Sequence, residues 1–192
     1  KEVTLDWDKF SLVFDADPTV NVYRNEFAMP RAFLVHRAVV AEDHEDAWTR
    51  LHQPEFDPAT TVILEGGREL DSSAGAGGTA RVDVVRYEPD LLEIDLSSPV
   101  EGYLVLSDPH YPGWQASVDG VPAVILKADY AFRAVEVPAG DHRVTMAFRP
   151  RTWRIGLAIS VACALGLLIL AAVSLLRRRT RGQQESGTPG DT

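Results

Sequence analysis

Ile155–Leu176 reads IGLAISVACALGLLILAAVSLL, 22 residues without a charge. At 1.5 Å per residue such a helix is roughly 33 Å long, enough to cross a ~30 Å hydrocarbon core. Its hydroxyls, Ser160 and Ser174, can bond back to their own helix. Trp153 stands just before the run, where an interfacial aromatic belongs, and Arg177, Arg178 and Arg179 follow it at once. A buried core helix of a soluble protein would show a polar face within such a length. The stretch therefore predicts a transmembrane helix over 153–176, with Trp153, Arg177, Arg178 and Arg179 at the membrane interface. Everything else is a domain beyond one end of this helix or a tail beyond the other.

The part before the helix, about 150 residues, is the usual size of one domain and enough to bury a core. The chain carries 28 acidic and 19 basic residues, a net charge of −9. Residues 155–192 hold four Arg against Glu185 and Asp191, so the preceding 154 residues carry a net −11. Such a surface repels phosphate backbones, which excludes nucleic-acid binding. The one cysteine, Cys163, lies inside the apolar run, so no internal disulfide and no Cys-based zinc site is expected. The first residues, KEVTLDWDKF, lack a Met and a basic-apolar leader, and the chain is expected to be the C-terminal piece of something longer.

Residues 1–79 read as a mixed segment, expected to form one domain with residues 80–150. FSLVF (10–14) and VNVY (20–23) flank Pro18-Thr19 as a hairpin, and AFLVHRAVVA (32–41) is β-prone. DHEDAWTRLHQ (43–53) places acids first, Arg50 late, and Ala47, Trp48 and Leu51 at helical spacing, which predicts a short helix ended by Pro54. TVILE (61–65) is a strand, and Gly66–Gly78 is a small-residue loop. From 80 to 150 short runs alternate apolar and polar, with turn residues about every 8 to 12 positions. That pattern predicts an antiparallel β-sandwich, with a hairpin at Asp119-Gly120 and Pro122 at a sheet edge. The fold class expected is thus mainly β, an antiparallel sandwich followed by one C-terminal transmembrane α-helix. Residues 177–192 read as a basic and then disordered cytoplasmic tail. Four Arg follow the apolar run and Arg149, Arg151 and Arg154 precede it, so the positive-inside count favours an extracytoplasmic domain by a narrow margin.

LVLSDPHYPGWQASVDGVPAVILKADYAFRAVEVPAGDHRVTMAFRP, running straight into a membrane helix, resembles the C-terminal end of the YfhO family of bacterial multi-pass membrane proteins. The YPGW turn, VDG hairpin, ADYAFRAV strand and PAG-H-V strand carry the resemblance in combination, and the upstream YRNEFAMPRAFLV extends it. The resemblance implies many upstream membrane helices, a location in the bacterial cell membrane and an extracytoplasmic C-terminal region. It also implies a GT-C-type glycosyltransferase that moves a sugar from a polyprenyl-phosphate carrier to an envelope polymer such as teichoic acid. The catalytic carboxylate of such an enzyme is expected in an early loop, so no catalytic residue is assigned to this segment.

Tyr111 and Trp114, in HYPGW, and Tyr130, in ADYAF, are candidate glycan contacts, since aromatic faces stack on pyranose C–H groups. A buried role for Trp114 between two sheets is the structural alternative and the favoured one. Asp119 and the other carboxylates at strand ends read as turn residues. Arg149, Arg151 and Arg154 are candidates for lipid headgroups or for the phosphate of a lipid-linked sugar. The five His show no ligand spacing, so neither a metal nor a cofactor is expected. The partners expected are membrane lipids, upstream helices of the same protein packing on the Ala158, Ala162 and Gly166 stripe, a polyprenyl-phosphate-linked sugar and an envelope polymer. The competing function is a membrane-tethered carbohydrate-binding or adhesion module without enzymatic activity. A purely structural domain is the third.

Overall fold

The computed structural model describes residues 7–185 apart from 18, 76 and 79. It divides into two units, Lys1–Ala147 and Phe148–Thr192.

The first unit is built from strands. β1 (Phe10–Asp17) and β2 (Val20–Asn25) form the expected hairpin as a separate two-stranded sheet. β3 (Ala32–Val35) and β4 (Arg37–Val40) come next, then α1 (His44–Leu51) and β5 (Thr61–Glu65). β6 (Leu70–Asp71) lies in the small-residue loop. β7 (Arg81–Tyr87), β8 (Leu91–Ser98), β9 (Gly102–Leu106), β10 (Trp114–Val118), β11 (Val121–Ala123), β12 (Leu126–Ala128), β13 (Phe132–Val137) and β14 (Gly140–Phe148) complete the set.

Two sheets face each other. One has the order β11-β10-β14-β8-β7, the other β3-β9-β13-β12-β5-β4-β6. The alternation read from the sequence becomes two-sided packing. Leu92, Ile94 and Leu96 of β8 and Val144 and Met146 of β14 point inward, and they meet Leu104 and Leu106 of β9 and Val135 and Val137 of β13. The residues between them on β9, Tyr103 and Val105, face the other way into a second cluster with Val62, Leu64 and Ala134. β9 is therefore buried on both faces, which is why GYLVL has no charged member. Each fully buried Leu of this kind contributes about 2 kcal/mol of transfer free energy.

α1 starts where a side chain can satisfy its first amides. The Asp43 carboxylate accepts from the Asp46 N–H, and Arg50 pairs with Asp46 one turn on, at 2.8 Å. Ala47 and Leu51 cover Ile63 and Ala41. Because α1 carries the chain over the sheet from β4 to β5, those strands pair in parallel, the one departure from an antiparallel architecture among the pairings described. Trp48, expected on the apolar face, is instead 48% exposed, since Ala47 and Leu51 already fill the contact with the sheet.

Asp119 (φ +52°) and Gly120 (φ +80°) form the tight β10–β11 turn, and β11 with Pro122 is an edge strand, as expected. The Asp119 carboxylate accepts from the Arg143 amide at 2.8 Å and pairs with His142 Nδ1 at 2.6 Å, so it is a turn residue tied to β14.

The second unit is a single helix, α2 (Arg151–Glu185), of which Ile155–Val173 is long and apolar enough to cross a membrane. Ile155, Leu157, Ile159, Leu165, Leu168 and Ile169 are all more than half exposed, so the described part of this helix has no protein core to bury it. The helix does not stop at the arginines. It continues through residues 182–185, which composition alone marked as disordered, because Arg, Gln and Glu extend a helix already nucleated by the apolar run. Residues 186–192 of the expected tail lie outside the described residues.

Candidate functional site

The three aromatic candidates fall into different surroundings. Tyr111 is 65% exposed in the loop between β9 and β10. Trp114, at the first position of β10, is half-buried, packs on the inter-sheet core, and lies under the Arg133 guanidinium at 4.3 Å from the ring centre. Tyr130 occupies the turn between β12 and β13, half-buried, with its ring stacked on His44 at 3.9 Å. A backbone hydrogen bond from His110 N–H to Ala131 C=O, 2.6 Å, ties the Tyr111 loop to the Tyr130 turn.

Arg133 anchors a cluster that sequence spacing did not reveal. Its Nη2 donates to Asp108 Oδ2 at 2.8 Å, and Arg31 Nη1 donates to Asp108 Oδ1 at 2.7 Å. Arg31 Nη1 also reaches the Tyr87 hydroxyl at 2.8 Å, and its guanidinium lies 4.7 Å from that ring's centre. Arg133 is 3% exposed, and its Nε and Nη1 find no hydrogen-bond partner. Burial lowers its pKa, against the pull of Asp108. The Trp114 face supplies what compensation those two N–H groups receive. The cluster ties β13 and the β9–β10 loop to β7 and to the start of β3, and its acceptor is spent on two cations. It is a fastening, with no acid or base left over for chemistry.

A second cluster surrounds Tyr130. Lys127 Nζ lies 2.9 Å from Glu65 Oε1 and 2.8 Å from His44 Nδ1, and His44 Nδ1 lies 2.8 Å from the same Glu65 oxygen. Burial pushes the Glu65 carboxyl up, but the hydrogen bonds from His44 and Lys127 outweigh it and hold the group below the usual carboxylate range. Trp48 tilts against Tyr130 at 4.9 Å and against His52 at 4.0 Å. Besides Tyr130 itself, the sequence signal for this cluster was the spacing of His44, Trp48 and His52, four residues apart.

The turn that presents Tyr130 is strained and held. Asp129 has φ +44° and Tyr130 φ +70°, two consecutive non-glycine residues in the left-handed region. The buried Asp129 carboxylate accepts from Ile63 N–H at 2.9 Å, while its own amide donates to Ile63 C=O at 2.8 Å. Burial pushes the Asp129 pKa from 3.8 up to about 6, against the lowering effect of the Ile63 amide.

Open clefts lie elsewhere. One of about 400 Å³ is lined by Arg81, Asp83, Asp95, Asp141 and His142. Asp83 is paired with Arg81 and Asp95 with Arg143, each at 2.6 Å, so this is a charged, hydrated surface. Among the described residues no group of three or more His, Cys, Asp or Glu is gathered as metal ligands would be. Arg149 is exposed just beyond β14, and Trp153 is 70% exposed on α2. Arg151, Arg154, Arg177, Arg178 and Arg179 belong to the backbone of α2, and their side chains lie outside the described part.

Residues 70–160 match the family model of the bacterial membrane protein YfhO. Over that segment the chain is similar to the YfhO family. The match begins at β6 and ends inside α2, so it takes in the whole five-stranded sheet, the β6, β9, β12 and β13 strands of the other, and the start of the apolar helix. The protein of Bacillus subtilis (strain 168) named "Uncharacterized protein YfhO" is 25% identical over 118 residues. Those residues are 62% of this chain and 13% of that relative, so this chain corresponds to a small part of the relative's length. No solved structure matches it significantly.

Proposed function

We propose that the chain is the extracytoplasmic C-terminal domain and last membrane helix of a polyprenyl-phosphate-sugar-dependent glycosyltransferase acting on cell-envelope polymers. In this reading the segment is accessory, and the chemistry belongs to a part of the longer protein upstream of Lys1. The observation that carries the reading is a two-sheet domain followed by a bare apolar helix, in a chain that resembles the YfhO family over residues 70–160 and aligns with 13% of a relative. The accessory role is supported by the state of the carboxylates. Asp108 and Asp119 are engaged with cations and backbone, and Asp129 is turned into the fold. The stripe of Ala158, Ala162 and Gly166 would then receive upstream helices. Arg149, Arg151 and Arg154 would meet phosphate, on lipid headgroups or on the lipid-linked donor. Deleting the full-length protein in its bacterium and analysing the sugar content of the envelope polymers tests the reading. Loss of a glycosyl substituent is expected, and unchanged polymers would sink it.

The exposed Trp48 beside the half-buried Tyr130 favours a second reading, a membrane-tethered carbohydrate-binding or adhesion module without enzymatic activity. An inactive full-length protein that still retains glycan at the cell surface would select it.

A further inference from the structure

Trp48, Tyr130 and His44 form a surface for which the fold has no use. Ala47 and Leu51 already close α1 onto the sheet, while Trp48 stays 48% exposed. A tryptophan left half exposed on a helix of eight residues is costly in apolar hydration. Tyr130 is brought to it by two adjacent left-handed residues, a conformation that persists only where the surroundings enforce it. Left-handed positions in a tight turn are ordinarily filled by Gly, Asn or Asp. Here the second position carries a large ring at the expense of backbone strain, and the exchange of hydrogen bonds between Asp129 and Ile63 keeps it there.

The rings are arranged as a shallow corner. Tyr130 is nearly parallel to His44 (22°) and inclined to Trp48 (60°). Beside the corner, within hydrogen-bond distance of one another, stand a carboxylate, an ammonium and an imidazole: Glu65, Lys127 and His44. Lys127 Nζ also lies 5.3 Å from the centre of the Tyr130 ring. Glu65 offers acceptor lone pairs and Lys127 offers donors, one of each kind at the edge of an apolar face.

We propose that this corner is a carbohydrate subsite that takes a neutral pyranose with equatorial hydroxyls. Such a ring has broad C–H faces that lie flat on an aromatic plane, and its hydroxyls radiate from the edge, where one can donate to Glu65 while a neighbour accepts from Lys127. A charged sugar fits less well, because the carboxylate and the ammonium already balance each other. The subsite rests on the proposed function only in supposing that envelope glycan is within reach of the domain.

The test uses the 192-residue chain in lipid nanodiscs and cellotriose, a neutral all-equatorial probe. Saturation transfer from protein to sugar ring protons is expected, with millimolar affinity. Trp48→Ala and Trp48→Leu are each expected to weaken it at least about tenfold, the second showing that a flat ring and not apolar bulk is needed. Tyr130→Ala is expected to do the same, and Tyr111→Ala to leave the affinity unchanged. Because Trp48 is exposed, its variants should keep the wild-type melting temperature, which separates loss of binding from loss of fold. No transfer to cellotriose, or transfer undiminished in Trp48→Leu, overturns the proposal. So does a fluorescence shift on adding lipid vesicles that is absent in Trp48→Leu and ignores the sugar, which would make the corner a membrane-contacting face. The measurement needs neither donor lipid nor turnover. The glycosyltransferase reading can therefore fail while cellotriose still binds, and the subsite can fail while that reading stands.

Discussion

Arg133 is the residue on which the inter-sheet fastening depends. A guanidinium removed from water is tolerated only because Asp108 meets one of its nitrogens and Trp114 lies against its plane. Taking Arg133 away leaves Asp108, 8% exposed, with Arg31 as its remaining cation. Arg133→Ala should therefore cost about 3 kcal/mol in urea unfolding. The double variant with Asp108→Ala should cost less than the sum of the two single changes. Asp129 makes a pH-dependent contribution of the opposite character to a surface ion pair. Its pKa is higher in the folded chain than in the unfolded one, so between 3.8 and about 6 the folded state holds a proton the unfolded state has lost. Stability falls as pH rises through that window, and the penalty is complete above it. Asp129→Asn keeps an acceptor for the Ile63 amide and suits the left-handed backbone. Its melting temperature should exceed that of the wild type at neutral pH, with the gap closing as pH falls toward 3.8. The carboxylates whose pKa values are lowered, Asp46, Glu65 and Asp95 among them, destabilise both chains equally on acidification and drop out of the comparison.

Among elements, the two hairpins near the ends of the first unit have opposite fates. β10–β11 is stitched to β14 through Asp119, whereas β1–β2 is a sheet by itself, with Leu12, Phe14, Val20 and Val22 all close to half exposed. Two strands without a packed face are marginal in water. Amide hydrogen exchange on the described strands should be fastest in β1 and β2 and slowest in β9, covered on both faces. Much of this scale was readable in advance. Period-two runs such as LLEIDLSS and the Asp-Gly turn dictate strands and a hairpin from local chemistry alone. The parallel pairing of β4 with β5 was not readable, since it depends on α1 carrying the chain across the sheet, and the exposure of Trp48 follows from the same placement. The site was legible only in fragments. Tyr130 was singled out as a lone aromatic, but its partners His44 and Trp48 lie some 80 residues upstream, and Arg31 is 77 residues from Asp108. No periodicity encodes a contact of that span.

For the molecule as a whole, the proposed orientation has a direct check. Cys163 sits in the apolar span, so an added thiol can be read against a quiet background. Asp90→Cys, in the exposed turn between β7 and β8, should react with a membrane-impermeant maleimide in intact spheroplasts, while the parent chain stays unlabelled. Labelling of Asp90→Cys only after lysis would put the sheets on the cytoplasmic side.

The Trp48 corner has one more consequence. Its halves come from α1 and from the β12–β13 turn, so the rings meet only after the intervening strands have been laid down and closed. An indole that an imidazole and a phenol crowd only at that late moment is a built-in optical reporter. Its emission, read in a chain whose Trp7, Trp114 and Trp153 are replaced by Phe, should separate a finished chain from one whose strands are formed but not yet assembled.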